Sequence, residues 1–183
     1  MRSMASRSTS SGTVEEILEL DVDDYSSSSM RIEVQGVSHH APRAVLTGAA
    51  RLPQVVDTAP ERGRVGDLIG TQWPEMFLLS DRVVQVLKES GLSGWVGLRA
   101  EARGNPSLPV LFLLQVTGRC GPIFVGVNGI GQYLDPETID GSDFFVPANE
   151  ARVFLSPRAG EILSAASLRN VEVRLAGLES LDG

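Results

Sequence analysis

The sequence predicts a mixed α+β fold, in which two helices pack on a single sheet of about six or more strands. Two segments of the chain each combine an apolar strand-like run, an amphipathic helix that begins at a serine, and a second apolar run. Short apolar stretches typical of strands lie between these segments. With 183 residues, 42% of them hydrophobic, the chain can form a core without disulfides or a structural metal.

The N-terminal part divides into a tail and a weakly patterned region. Residues 1–13 are polar and rich in serine, which predicts a disordered tail ahead of a single domain at 14–183. Residues 14–24 mix helical and alternating spacing of apolar residues and contain six acids. Weak alternation over 30–47 predicts strands around a turn, and the prolines and glycines of 53–66 predict a connector.

The best-defined segment contains the first capped helix, at Ser80–Ser90. Ser80 is predicted as its N-cap, because the hydroxyl can accept a hydrogen bond from a backbone N–H of the first turn. Asp81 suits the positive N-terminal end of the helix, and Gly91 suits the left-handed position that follows its last turn. The apolar residues on both sides of the helix predict strands.

The middle of the chain predicts two central strands and then a connector. Residues 108–127 are almost continuously apolar, with a turn at 117–122. Continuous apolar runs are typical of strands that are covered on both faces. Residues 129–147 are rich in Gly, Asp and Pro, which predicts a long connector.

The last segment repeats the pattern of the first helix. Ser156 is predicted as the N-cap of a helix at Ser156–Ala166, and Pro157 fits the first helical position. Residues 77–100 align without a gap with residues 153–176, and six of the 24 positions are identical. The shift along the chain is constant, from residue 77 to residue 153 and from residue 100 to residue 176. We call this shift the repeat offset. The match suggests an internal duplication of a strand–helix–strand unit. Similar capping chemistry alone would produce part of it, so both interpretations stay open.

The sequence offers few residues for catalysis. The only histidines, His39 and His40, are adjacent and would point to opposite faces of a strand, which does not favour a hydrolytic triad. Cys120 is the single cysteine, and its neighbour in sequence does not predict an activated thiolate. Lys88 is the only lysine, and Gly126–Gly131 lacks the order of a dinucleotide-binding loop. We therefore predict no catalytic residues and a protein that is not an enzyme.

Metal and cofactor sites are not predicted either. A closed zinc site needs four ligands, and the chain has three Cys and His residues in total. The acid-rich stretches at 21–24 and 135–143 lack the order of ligands found in a calcium-binding loop. The prediction is therefore no metal and no cofactor.

Charge and hydropathy restrict the kinds of partner. The net charge of −7 argues against nucleic acid, because binding to phosphates needs clustered Lys and Arg. Most of this charge lies in residues 14–24, which carry −6, so the rest of the chain is nearly neutral. No apolar run approaches the roughly 20 residues of a transmembrane helix, which predicts a protein that does not enter the membrane.

Three stretches together resemble a known family. They are GDLIGTQWPEMFLLSDRVVQVLKESGLSGWVGLRAE at 66–101, VTGRCGPI at 116–123, and DGSDFFVPANEARVFLSPRAGEILSAASLRNVEVRLAGL at 140–178. They are similar to bacterial immunity proteins of polymorphic or contact-dependent toxin systems, above all to the double-CxxCG-motif family. The chain keeps only Cys120–Gly121 and contains no CxxC, so the resemblance implies a relative without the metal site of that family.

The resemblance implies a cytoplasmic monomer or homodimer that binds and neutralises a cognate protein toxin without catalysis. An acidic segment suits a basic toxin, so we expect Asp21, Asp23 and Asp24 to bind this partner. Trp73 is a further candidate, because tryptophan is enriched in interface hot spots. The alternative is a structural or assembly subunit of a larger complex, which the serine-rich tail and the continuous apolar strands would suit.

Overall fold

The computed structural model describes residues 16–22, 32, 34, 42–50, 55–57, 65–73, 75–103, 110–126 and 129–180. These residues are mixed α+β and mostly sheet, which confirms the predicted class at that level. The predicted disordered tail at 1–13 lies outside them. The strands are β1 (Leu18–Val22), β2 (Val55–Asp57), β3 (Leu68–Gly70), β4 (Phe77–Ser80), β5 (Trp95–Arg103), β6 (Leu111–Val116), β7 (Gly118–Cys120), β8 (Phe124–Val125), β9 (Gln132–Leu134), β10 (Phe144–Pro147), β11 (Phe154–Leu155), β12 (Val171–Leu175) and β13 (Glu179–Ser180), and the helices are α1 (Pro42–Leu46), α2 (Asp81–Glu89) and α3 (Pro157–Ala165).

The strands of the described residues form three sheets, so the predicted single sheet is wrong. Sheet 1 has the order β2-β5-β6-β4-β3, sheet 2 the order β12-β1-β11-β10-β7, and sheet 3 the order β13-β9-β8. The apolar run at 108–127 supplies strands to all three of them. Periodicity identifies a strand but not its neighbours, and for this reason the division into sheets was not predicted.

The chain crosses from sheet 1 to sheet 2 at Gly118. Only Thr117 separates β6 from β7, yet these strands lie in different sheets. A Cβ atom at position 118 would collide with the carbonyl oxygen of Phe144, so this close approach needs glycine. The turn predicted at 117–122 is therefore wrong in part, because its first half is a strand that pairs with β10.

The predicted connector at 129–147 is also wrong in part. It contains β9, a short 3₁₀ turn at Pro136–Thr138 and β10. All four residues of β10 are buried. A strand this short carries too few apolar residues to stand out from the surrounding Gly, Asp and Pro.

Three apolar clusters form the core. The central cluster is shared by sheets 1 and 2 and by α2 and α3. A second cluster covers the other face of sheet 1, and a third lies between sheet 2 and sheet 3. Side chains with almost no exposed surface include Leu79 and Leu87 in the central cluster, Leu78 in the second and Phe154 in the third.

Both predicted helices are confirmed together with their caps. The Ser80 hydroxyl accepts a hydrogen bond from the N–H of Val83, and the Ser156 hydroxyl accepts one from the N–H of Ala159. Gly91 follows α2 with a φ of 62°, in the left-handed region that favours glycine. Local capping chemistry was sufficient to predict where these two helices begin and end.

Candidate functional site

A buried carboxylate anchors the start of α2. Asp67 is 3% exposed and accepts hydrogen bonds from the Ser80 hydroxyl at 2.9 Å and from the backbone N–H of Arg169 at 2.8 Å. Arg82, in the first turn of α2, reaches the same carboxylate at 3.5 Å. The aspartate therefore joins the N-terminus of α2 to the loop that follows α3.

A second buried carboxylate has the same set of partners at the start of α3. Asp143 accepts hydrogen bonds from the Ser156 hydroxyl at 2.9 Å, from the backbone N–H of Ser93 at 2.9 Å and from Arg158 at 3.0 Å. Burial alone would raise its pKa, but these hydrogen bonds and the positive charge outweigh burial and hold the pKa below its ordinary value. The Ser93 hydroxyl is a fourth donor, at 3.0 Å. A carboxylate held ionised by four donors stabilises structure and is a poor general acid.

The cysteine is equally unsuited to chemistry. Cys120 lies on β7 with 6% of its surface exposed. Burial, and then the negative charge of Asp140, raise the pKa of its thiol to about 12. The nucleophilic thiolate is therefore not populated at neutral pH.

The acidic strand β1 is neutralised by arginines of the same chain. Arg152 binds both oxygens of Glu19, at 3.1 and 2.8 Å, and also donates to the side chain of Gln132 at 2.7 Å. Arg174 lies 2.7 Å from the carboxylate of Asp21. The acids of this strand thus already have intramolecular partners.

The four residues predicted to bind a partner occupy different surroundings. Asp21 is about one-third exposed and pairs with Arg174 on sheet 2. Asp23 and Asp24 lie outside the described residues. Trp73 is half-buried against the second cluster on sheet 1, where its carbonyl accepts hydrogen bonds from Thr71 and Met76. Asp21 and Trp73 therefore belong to different packing units.

Three large apolar side chains lie exposed and close in sequence around the turn between β8 and β9. Phe124, Val125 and Ile130 are 49%, 60% and 74% exposed. In sheet 3, Phe124 pairs with Tyr133 and Tyr133 pairs with Glu179. Residues paired directly across strands share one face of the sheet. We call these five residues the hairpin surface.

Tyr133 and Glu179 give the hairpin surface a polar and acidic side. The Tyr133 hydroxyl donates a hydrogen bond to the Glu179 carboxylate, and this bond, with the negative charge, raises the pKa of the tyrosine. The phenol therefore stays protonated and fixed beside the carboxylate. Two aromatic rings next to a carboxylate are a combination that binds the cationic side chains of Lys and Arg.

Strand β8 also presents free backbone groups at the edge of sheet 3. The side-chain amide of Asn149 bonds to the N–H of Ile123 at 2.9 Å and to its C=O at 2.7 Å, on the side away from β9. Alternate residues of an antiparallel strand direct these groups to the same side, so those of Val125 also point outward. Within the described part of the chain, the outward groups of Val125 form no hydrogen bond.

The exposure of β8 corrects one prediction about the strands at 108–127. Both strands were predicted to be covered on two faces, and β6 largely is, whereas both residues of β8 are exposed. The length of the strand did not signal this difference, because β11 is as short as β8 and both of its residues are buried.

No protein-family model matches this chain, and no curated protein matches it. Among the described residues, none of the helices has the length and apolar character to cross a membrane. In the same residues, no group of three or more Cys, His, Asp or Glu side chains is placed to hold a metal ion. The hairpin surface is the candidate functional site that remains.

Proposed function

We propose that this protein is a non-catalytic protein of the immunity type, which binds a cognate toxin domain and neutralises it in the bacterial cytoplasm. The observation that carries the proposal is the hairpin surface at an edge of sheet 3, where Phe124 and Val125 are exposed on opposite faces of β8 and Ile130 is exposed in the turn that follows. Exposed aromatic and aliphatic side chains in one place are typical of the centre of a protein interface. The resemblance to immunity proteins points to the same kind of partner.

The chemistry of the hairpin surface favours a basic partner. Phe124, Tyr133 and Glu179 form one row across sheet 3, and this row fits a Lys or Arg side chain. The edge of β8 can receive an extended segment, whose backbone would pair with the free groups of Val125. A net charge of −7 attracts the same partner over longer distances.

Replacing Phe124 and Ile130 by serine is expected to weaken binding of the toxin encoded beside the gene by about 100-fold or more, because hot-spot side chains contribute about 2 kcal/mol each. The measurement is the dissociation constant of the purified pair, with survival of cells that co-express both proteins as the functional readout. Val96→Ser is the matched control, since Val96 is exposed to a similar degree on sheet 1.

Two outcomes would contradict the proposal in different ways. If the unchanged protein gives neither a complex nor protection with any neighbouring toxin, the immunity function is wrong. If it protects and the Phe124 and Ile130 variant protects equally well, the function stands and the toxin binds elsewhere on the protein.

Neutralising the acidic segment gives a second prediction. Replacing Asp21, Asp23 and Asp24 by asparagine should weaken toxin binding several-fold at low salt and reduce the dependence of affinity on salt, because the negative charges removed would attract a basic partner over long distances. Affinity is measured between about 0.05 and 0.5 M salt. Glu161→Gln, an exposed change on α3, is the control for loss of one negative charge elsewhere, and its effect should be much smaller than that of the three changes. Unchanged affinity would place the interface away from this segment.

The second candidate function is a structural or assembly subunit of a larger complex. The open edge of β8 favours it, since an unpaired strand edge can pair with the same strand of another copy. Light scattering across a range of protein concentrations separates the two functions. A large homo-oligomer supports assembly, whereas a monomer or homodimer supports the immunity function.

A further inference from the structure

The two halves of the chain repeat the same strand pairs. Leu68 pairs with Leu79 between β3 and β4, and Phe144 pairs with Leu155 between β10 and β11. Phe144 lies one repeat offset after Leu68, and Leu155 lies one repeat offset after Leu79. This is the shift at which residues 77–100 align with residues 153–176.

The same offset holds for strand pairs outside the aligned segments. Asp57 pairs with Arg103 between the parallel strands β2 and β5, and Tyr133 pairs with Glu179 between the parallel strands β9 and β13. Helix capping has no influence on these strands. Similar caps alone therefore do not account for the repeat.

The buried carboxylates extend the repeat to contacts between the halves. Asp67, Ser80 and Arg82 each have a counterpart one repeat offset later in the Asp143 group. The backbone donor runs the other way, because the counterpart of Arg169 is Ser93, one offset earlier, so each group takes one backbone N–H from the opposite half. Arg82 donates to the carbonyl of Ala166 at 3.0 Å, and Arg158 donates to the carbonyl of Ser90 at 2.6 Å. Such reciprocal contacts are those of an isologous two-fold interface.

One strand of each half lies in the sheet of the other half. Strand β6 begins the second half and pairs in sheet 1 with β4 and β5 of the first half. Strand β1 begins the first half and pairs in sheet 2 with β11 and β12 of the second half. The pairing registers of β6 and β1 also agree. Val116 of β6 lies opposite Trp95, and Val22 of β1 lies opposite Val171. Val171 is the counterpart of Trp95 at the repeat offset.

We infer that the chain is a tandem duplication of one unit, at 18–103 and 112–179, and that the two units exchange their first strands. Each unit is thus the binding partner of the other, and together they form a strand-exchanged dimer joined into one chain. The surface that receives β1 lies between β11 and β12, and the surface that receives β6 lies between β4 and β5. Neither unit completes its own five-stranded sheet.

Gly160 provides a local test of the exchange. A Cβ atom at this position of α3 would collide with Leu18 of β1, whereas one at Gly97 of β5 would meet Phe112 of β6 at an ordinary 3.5 Å. We expect Gly160→Ala to lower the urea midpoint of unfolding, and to lower it much less once Leu18 is shortened to alanine. The change Gly97→Ala should be additive with Leu18→Ala.

Cleavage between the two units tests their mutual dependence without altering any strand. A site-specific protease sequence replaces residues 104–109 of the full chain, which is cut after folding, unfolded in urea and diluted. If each unit needs a strand of the other, refolding is second order and its half-time falls about tenfold for a tenfold increase in concentration. A refolding rate independent of concentration, or coupling of Leu18 to Gly97 instead of Gly160, would overturn the inference.

Discussion

Replacing Asp143 by alanine is expected to lower the free energy of unfolding by about 3 kcal/mol. The carboxylate is almost fully buried and accepts hydrogen bonds from Ser93, Ser156 and Arg158. Its removal leaves these donors without their acceptor and disconnects α3 from the loop after α2. Urea unfolding at neutral pH measures the change. Asp81→Ala, an exposed aspartate at the start of α2, serves as control and should cost less than about 1 kcal/mol.

The acid dependence of stability follows from the same carboxylate. Its pKa is lower in the folded protein than in the unfolded chain, so its ionised form stabilises the fold above the ordinary aspartate pKa of about 4. This contribution is lost as the pH falls through the folded pKa. The stability difference between the unchanged protein and Asp143→Asn should therefore be full at pH 7 and shrink below about pH 4. A difference that stays constant down to pH 2 would show that the charge of Asp143 does not stabilise the fold.

Phe144→Ala is expected to cost about 3–5 kcal/mol, since it empties a large site in the central core. Phe144 is 1% exposed and, with Leu68 and Leu87, lines a small apolar cavity of about 10 Å³ between the two halves. The lost ring would enlarge that cavity, and rigid strands on both sides limit its collapse. Chemical denaturation at neutral pH measures the loss of stability.

Phe124→Ala is the matched comparison for this core change. It removes the same ring from the exposed strand β8 and should cost less than about 1 kcal/mol. Equal losses of stability for the two variants would contradict the assignment of Phe144 to the core. They would also contradict the assignment of Phe124 to a free surface.

Local signals predicted α2 and α3 well, whereas α1 lies within residues 30–47, where strands were predicted. The caps at Ser80 and Ser156 and the left-handed Gly91 depend on hydrogen bonds and backbone angles within a few residues. Sequence shows such features directly. The apolar stripes of α2 and α3 then placed both helices against the central core.

Features that depend on distant residues were not predictable. Gly118 begins a new sheet because the backbone of Phe144 lies against it, and no residue near position 118 indicates this. In the sequence, Asp67 and Asp143 do not differ from ordinary loop acids, because their partners in the opposite half are far away along the chain. The ion pair between Asp21 and Arg174 was equally unpredictable, because the two residues are far apart in sequence.

The position of β1 has a consequence for synthesis of the protein on the ribosome. This strand emerges first, yet it pairs with β11 and β12 at the opposite end of the chain. Sheet 1 can close once β6 has emerged, whereas the gap in sheet 2 stays open until β11 and β12 have emerged. Until then, the apolar side chains of Leu20 and Val22, which are buried in the folded protein, stay uncovered and open to aggregation and to capture by chaperones. The nascent chain should therefore acquire its two halves in sequence, and its earliest strand should be among the last to dock.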